Sequence, residues 1–134
     1  MALELATAER IVKGAVARAQ EMGVKLSIAV VDEKGILVHL SRMDGAPFLS
    51  PQIAMGKAYT AAAWGVSSGE MEQRAQSSLA CFSSIAAMTG GKTVFRKGAL
   101  PIIIDGQVVG AAGASGGTSD EDEEAIRGGL AAIA

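Results

Sequence analysis

The sequence predicts an α+β fold in which two β-hairpins form one central antiparallel sheet that helices cover. Two observations predict it. Two apolar, β-branched runs turn back on themselves at short turns that end in glycine, at residues 32–35 and at Asp105-Gly106. Outside the hairpins, apolar residues recur with the 3.6-residue spacing of amphipathic helices. The 134 residues fit one domain, residues 1–134, which is long enough to bury a substantial core.

The first helix and the first hairpin come from the N-terminal third of the chain. Apolar residues within 5–22 fall on one helical face, and Gly23 provides a C-terminal stop. The runs 26–31 and 36–41 have the apolar, β-branched character of two strands joined by a short turn. The sequence therefore predicts a helix followed by an antiparallel pair.

Capping residues mark the starts of later helices. Ser50 followed by Pro51 is an N-cap and first-turn signature. Thr118 and Glu121 form a capping box, and further carboxylates in that turn match the positive end of the helix dipole. The remaining elements are a helix that ends near Gly65, a helical stretch over 69–88 with a break around Ser77, a loop over 89–98 with an uncertain short strand, a hairpin within 99–117 and a last helix.

Composition excludes several classes of function. The net charge is −2 and no basic run exists, so we expect no nucleic-acid partner. Cys81 is the only cysteine, which excludes an intrachain disulfide and a cysteine-based metal cluster. No signal peptide and no apolar run of membrane-spanning length is present, and we expect a cytoplasmic protein with no membrane partner. The apolar content favours a homo-oligomer.

Two basic residues have surroundings that suit a small anionic ligand. Arg42 and Asp44 end the first hairpin, where a guanidinium could bind a carboxylate or phosphate or could simply pair with Asp44. Lys57 lies on the predicted second helix among small apolar residues, which favours a position in a cleft over a position on the surface.

A glycine-rich turn offers a third candidate. The stretch GAAGASGGT, residues 110–118, runs from a strand into a helix N-terminus, and its backbone N–H groups could hold an anion. The alternative is a tight turn that needs glycine for its backbone angles. Both interpretations stay open at this point.

His39 is the only histidine and belongs to the return strand of the first hairpin. An imidazole suits a haem iron or another metal, or proton transfer, although a lone strand histidine is more often a packing or surface residue. A period of two puts His39 and Leu37 on one face of the strand, and Val38, Leu40 and Arg42 on the other.

Three stretches together resemble one known family. They are SIAVVDEKGILVHLSRMDGA at 27–46, KAYTA at 57–61 and GALPIIIDGQVVGAAGASGG at 98–117. In this order they are similar to the GlcG/HbpS family, which includes the C-terminal domain of PduO-type proteins. The resemblance implies a profilin-like α/β/α sandwich with helices on both faces of the antiparallel sheet. It also implies homo-oligomers, from dimers to octamers.

The resemblance implies a small-ligand-binding protein, because some members bind or degrade haem and others accompany organic-acid or aromatic catabolism. The first hypothesis is binding of haem or a small anionic metabolite. Haem would lie on the apolar helix face around Met55 to Trp64, and its propionates would meet Arg42 and Lys57. His39 or, less conventionally, Thr60 would be the axial ligand. The predicted ligand-binding residues are Arg42, Lys57, Thr60, Ser115, Gly116 and Gly117, the last three within the glycine-rich turn 113–117.

Two alternatives stay open. One is an enzyme of the isomerase, hydratase or hydrolase type that acts on a small carboxylate, with Lys57, Asp44 or His39 moving a proton. The other is an oligomeric accessory protein in which these polar residues are structural.

Overall fold

A four-stranded antiparallel sheet forms the centre of the computed structural model, which describes residues 2–134. Met1 of the predicted domain lies outside the described residues. The α+β class, the two hairpins and the order of elements are confirmed. The elements are α1 (Leu5–Met22), β1 (Ser27–Asp32), β2 (Leu37–Arg42), α2 (Ser50–Trp64), α3 (Ser68–Ser77), α4 (Leu79–Met88), β3 (Ala99–Ile104), β4 (Gln107–Ser115) and α5 (Ser119–Ala131).

The strand order β2-β1-β4-β3 places the two hairpins side by side, with β1 and β4 at the centre. Helices α1 and α5 pack together on one face of the sheet, and α2 packs on the other. Helices α3 and α4 continue from α2, and α3 also reaches β3. No helix within residues 2–134 is both long and apolar enough to cross a membrane.

The two faces of the sheet are packed by side chains of different size. Large aliphatic residues such as Ile11, Ile28 and Ile126 fill the layer between the sheet and α1 and α5. On the α2 face the cluster is mostly alanine, and β4 has a glycine, Gly113, directly under the helix. A Cβ atom on Gly113 would lie 2.7 Å from the Ala54 carbonyl oxygen. The high glycine and alanine content therefore lets the α2 backbone approach the sheet closely.

An irregularity in the first hairpin changes which side chains share a face. Val31 pairs with Leu37, but Val30 pairs with His39, so Val38 is an extra residue in β2. The prediction that Leu37 and His39 share a face is therefore wrong, because a bulge interrupts the period of two. The prediction that His39 lies opposite Arg42 is confirmed, since their partners Val30 and Ser27 are three residues apart in β1.

The segment 89–98, which we call the strap, contains no strand. It crosses the outer side of α2, where the Val94 N–H donates to the Thr60 hydroxyl at 2.9 Å. The Phe95 ring lies 5.7 Å from Trp64 and 4.9 Å from Phe82. The Ala99 backbone that follows the strap begins β3 and bonds to the Ser68 side chain of α3.

Candidate functional site

Three segments of the chain enclose an open, mainly apolar cleft of about 720 Å³, which we call the α2 cleft. Its walls are the β1–β2 turn with the start of β2, the outer face of α2, and the strap. Apolar side chains such as Leu37, Ile53 and Val94 make most of its surface. A volume of this size falls within the range of about 300–1,000 Å³ that is typical of small-molecule sites.

Two lysines stand on different walls of this cleft. Lys34 belongs to the β1–β2 turn and Lys92 to the strap, and both are exposed. Neither forms an ion pair within residues 2–134. An apolar cleft edged by two free ammonium groups suits a ligand with an apolar body and carboxylate groups.

Tyr59 and Met55 bring a phenol and a thioether into the same cleft. The Tyr59 ring packs against the turn at Gly35, where an added Cβ would be 2.6 Å from the ring. Gly35 also has a φ of 78°, which favours glycine over any other residue. The turn therefore needs glycine both for its backbone and for the position of the tyrosine.

Lys57 lies on the opposite side of α2 and is only 1 % exposed. Its Nζ donates to the Ala114 carbonyl at 2.9 Å and to Asp122 Oδ2 at 2.9 Å. A Cβ on Gly98, at the end of the strap, would approach Nζ to 2.7 Å. The ammonium therefore sits where α2, β4, α5 and the strap meet, with little access from solvent.

Asp122 is the residue that sequence reasoning missed. It is 2 % exposed, and its second oxygen accepts from the Gly117 N–H at 2.9 Å. The capping box and the dipole account for the acidic turn as a whole, so they gave no reason to single out Asp122. Its position one turn into α5 was the available signal, because an acid there points back over the preceding loop.

The buried pair gives the protein an alkaline pH dependence. Burial lowers the pKa of the Lys57 ammonium below its ordinary 10.5, and Asp122 opposes this shift without cancelling it. Between the lowered pKa and 10.5 the unfolded chain binds more protons at Lys57 than the folded chain, so the free energy of unfolding rises with pH there. Urea denaturation across this range should show the rise in wild type and not in Lys57→Met/Asp122→Leu. Equal slopes would contradict it.

His39 faces α1, on the other side of the sheet from the α2 cleft. It lines a groove with Lys13 and Gln20, and its Nδ1 is buried without a hydrogen-bond partner among residues 2–134. No group of three or more His, Cys, Asp and Glu side chains within residues 2–134 could hold a metal ion. The metal role predicted for His39 stays a prediction.

The remaining predicted residues lie at one end of the sheet, where β1 begins and β2 and β4 end. Arg42 and Ser115 both pair with Ser27, so they flank it in neighbouring strands. Arg42 and Asp44 line a shallow depression near the end of α1. Ser115 is buried and leads into Gly116, whose φ is 135°. The structure thus brings Lys57 and the glycine-rich turn together through Asp122, and their direct ligand contacts stay predictions.

Thr60 is fully buried. Its hydroxyl donates to the Gly56 carbonyl at 2.8 Å while it accepts from the Val94 N–H. Lys57, Asp44 and His39, the residues of the enzyme hypothesis, occupy a buried junction, an exposed loop and the opposite face of the sheet. This arrangement does not support the enzyme hypothesis.

Comparison with known proteins decides the family. Residues 3–131 match the family model described as "Haem degrading protein HbpS-like". The chain belongs to the HbpS-like family. A 15.0 kDa protein encoded in the dhaT–dhaS intergenic region of Citrobacter freundii is 32 % identical over 120 residues, which are 90 % of this chain and 84 % of that protein.

Two solved structures of similar chains support the HbpS-like assignment. The PduOC:haem complex superposes with a TM-score of 0.90 at 29 % identity, covering 99 % of this chain and 96 % of that one. A double mutant of HbpS from Streptomyces reticuli gives a TM-score of 0.87 at 30 % identity, covering 100 % of this chain and 88 % of that one. The resemblance seen in the sequence is therefore confirmed.

Proposed function

We propose that this HbpS-like protein binds haem, or a related planar ligand with carboxylate groups, in the α2 cleft. The observation that carries the proposal is the cleft itself, whose walls are apolar and whose two lysines stand on opposite sides. An apolar macrocycle gains from burial against such walls, and ammonium groups suit propionates. The solved haem complex of a similar chain supports the same ligand class.

The side chains in the cleft fit a haem group. Lys34 and Lys92 would hold the propionates, and Ile53 and Leu37 would contact the macrocycle. Tyrosine and methionine both serve as iron ligands in haem proteins, so Tyr59 and Met55 are both candidates, and Tyr59 is tested below. The bound group would supply an iron centre for redox or oxygen chemistry, and the protein would supply its orientation and its shielding from water.

The axial ligands that the resemblance implies lie elsewhere. His39 is on the α1 face of the sheet, and the Thr60 hydroxyl already has a donor and an acceptor as partners. Either residue would need a rearrangement, or a second subunit, to reach a ligand in this cleft. Both therefore enter the test below as competing assignments.

Self-association is the second part of the proposal. Phe48, which precedes the cleft residue Leu49 in the sequence, is 90 % exposed, and Leu79 and Met88 of α4 are 67 % and 78 % exposed. No residue of α4 is buried although the helix is strongly apolar. Apolar surface of this kind marks interaction sites, and a homo-oligomer would cover it. The ligand identity, the cytoplasmic location and any role in catabolism stay predictions.

A haemin titration tests the binding site. We expect a saturable Soret shift at about one haem per chain, with a changed band position in Tyr59→Phe because a phenolate ligand is lost. Lys34→Glu and Lys92→Glu should each weaken binding about tenfold, the effect of about 1.4 kcal/mol. Lys13→Glu is the matched control, since Lys13 lies on α1 across the sheet.

Three outcomes would count against this assignment. The absence of a saturable shift would exclude haem as the ligand. An equal loss in Lys13→Glu would show either that net charge governs binding or that the ligand lies in the groove that Lys13 shares with His39. A changed band in His39→Ala or Thr60→Ala, with an unchanged band in Tyr59→Phe, would move the iron ligand to the residues that the resemblance implies. Sedimentation velocity on the same samples would measure the subunit number.

A further inference from the structure

Two walls of the α2 cleft, α2 and the strap, are not strands of the sheet. The strap contacts α2 at Gly56, where an added Cβ would lie 2.2 Å from Val94 Cγ2. It is also held by the bond from the Val94 N–H to Thr60. Whatever fixes α2 and the end of the strap therefore fixes the shape of the cleft.

Both walls meet at the Lys57 ammonium, outside the cleft. Lys57 belongs to α2 and bonds to the Ala114 carbonyl, while the Ala114 N–H donates to Gly98, the last residue of the strap. Gly98 has a φ of 141°, and its missing side chain leaves the space that Nζ occupies. The end of the strap is thus packed directly against the lysine.

Asp122 supplies the charge that holds this junction together. One oxygen accepts from Lys57 and the other from the Gly117 N–H, so a single carboxylate joins α5, α2 and the turn after β4. A buried ion pair is a poor source of net stability compared with apolar packing, but its hydrogen bonds have strict geometry. This favours a role in fixing positions.

We infer that Asp122 is a positioning residue for the α2 cleft. It acts through Lys57, which it holds in place, on the positions of α2 and of the strap. The expected effect of Asp122 on ligand affinity rests on the proposed function. The expected effect of Asp122 on the strap does not depend on any ligand. A second, exposed contact between Lys97 and Asp120 ties the strap to the same turn of α5, at 2.6 Å.

The fluorescence of a single tryptophan can report on the position of the strap. Trp64 is the only tryptophan, and its ring packs against Phe95 of the strap. We therefore expect Asp122→Asn to shift the Trp64 emission and to speed hydrogen exchange of amides within 89–98 in the ligand-free protein. Exchange in α1 and β1 should change little. Haemin affinity should fall about tenfold or more.

Two comparison variants distinguish a positioning role of Asp122 from a role in stability alone. Glu124→Gln removes a carboxylate of the same helix that pairs with Arg18 at the surface, and it should change none of these readouts. Lys57→Met/Asp122→Leu replaces the pair by apolar groups and should recover stability. The strap should nevertheless stay mobile and the affinity low, because the bonds to Ala114 and Gly117 are gone.

Recovery of both stability and affinity in the double variant would overturn the inference. So would exchange that rises equally across all elements in Asp122→Asn. If wild type binds no haemin, the proposed function fails, and emission and exchange still decide the role of Asp122. If Asp122→Asn does not fold, the double variant supplies the same comparison.

Discussion

Replacement of Lys57 by methionine is expected to lower the free energy of unfolding by about 3–5 kcal/mol, the usual cost of removing one partner of a buried ion pair. Methionine can fill the space of the aliphatic stem, so the loss comes from the missing N–H donors, which a lysine keeps even when it is neutral. It leaves Asp122 buried without its cation and the Ala114 carbonyl without its side-chain donor. Urea denaturation followed by circular dichroism measures the change.

Lys13→Met is the matched control for this experiment. Lys13 is an exposed residue of helix α1 with no ion pair among residues 2–134, so its loss should change stability by less than about 0.5 kcal/mol. Adding Asp122→Leu to Lys57→Met should recover most of the loss, since no charge then remains buried. A Lys57→Met variant as stable as wild type would show that the pair has no structural role.

Replacement of Gly113 by alanine is expected to destabilise the protein by about 1–3 kcal/mol, the cost of an extra methyl group in a filled core. The new Cβ would lie 2.7 Å from the Ala54 carbonyl oxygen and 2.9 Å from the Ala58 amide nitrogen. Both contacts are to helix backbone, which cannot move aside as a flexible side chain can. The strand must shift or α2 must move outward, and α2 is one wall of the cleft.

A comparison of two glycines distinguishes crowding from backbone strain. Gly23→Ala adds a methyl group where nothing lies within 4 Å, but at a φ of 72°, so it should cost about 1–2 kcal/mol through strain alone. It should leave the Trp64 emission unchanged, whereas Gly113→Ala should shift it because Trp64 ends α2. Unchanged stability in Gly113→Ala, or unchanged emission, would contradict the close approach of helix and strand.

Much of the fold was predictable because its signals are local. The Asp105-Gly106 turn occurs between β3 and β4 as expected, with Asp105 and Gly106 both at positive φ. The Thr118 capping box is present with both of its hydrogen bonds. Each signal depends on the backbone preferences of a few consecutive residues, and these preferences do not depend on tertiary contacts.

The candidate site was only partly predictable for the same reason. The sequence singled out Lys57 as unusual among its small neighbours, and the structure places it in the core. Its partner, 65 positions away, is one of several acids at the start of α5, and only its position one turn into that helix distinguishes it from them. The α2 cleft likewise joins a helix face, which the sequence did suggest as a binding surface, to a turn and the strap, which it did not.

The sequence by itself determined the class of fold, the hairpins, the helix starts and the family to which the chain belongs. The tertiary structure decided which charges are buried together, which face His39 occupies and where a cleft opens. The physical reason is that periodicity and caps are properties of neighbouring residues. A single bulge in β2 moves a side chain to the other face of the sheet. A buried ion pair forms only when distant segments pack at the right separation.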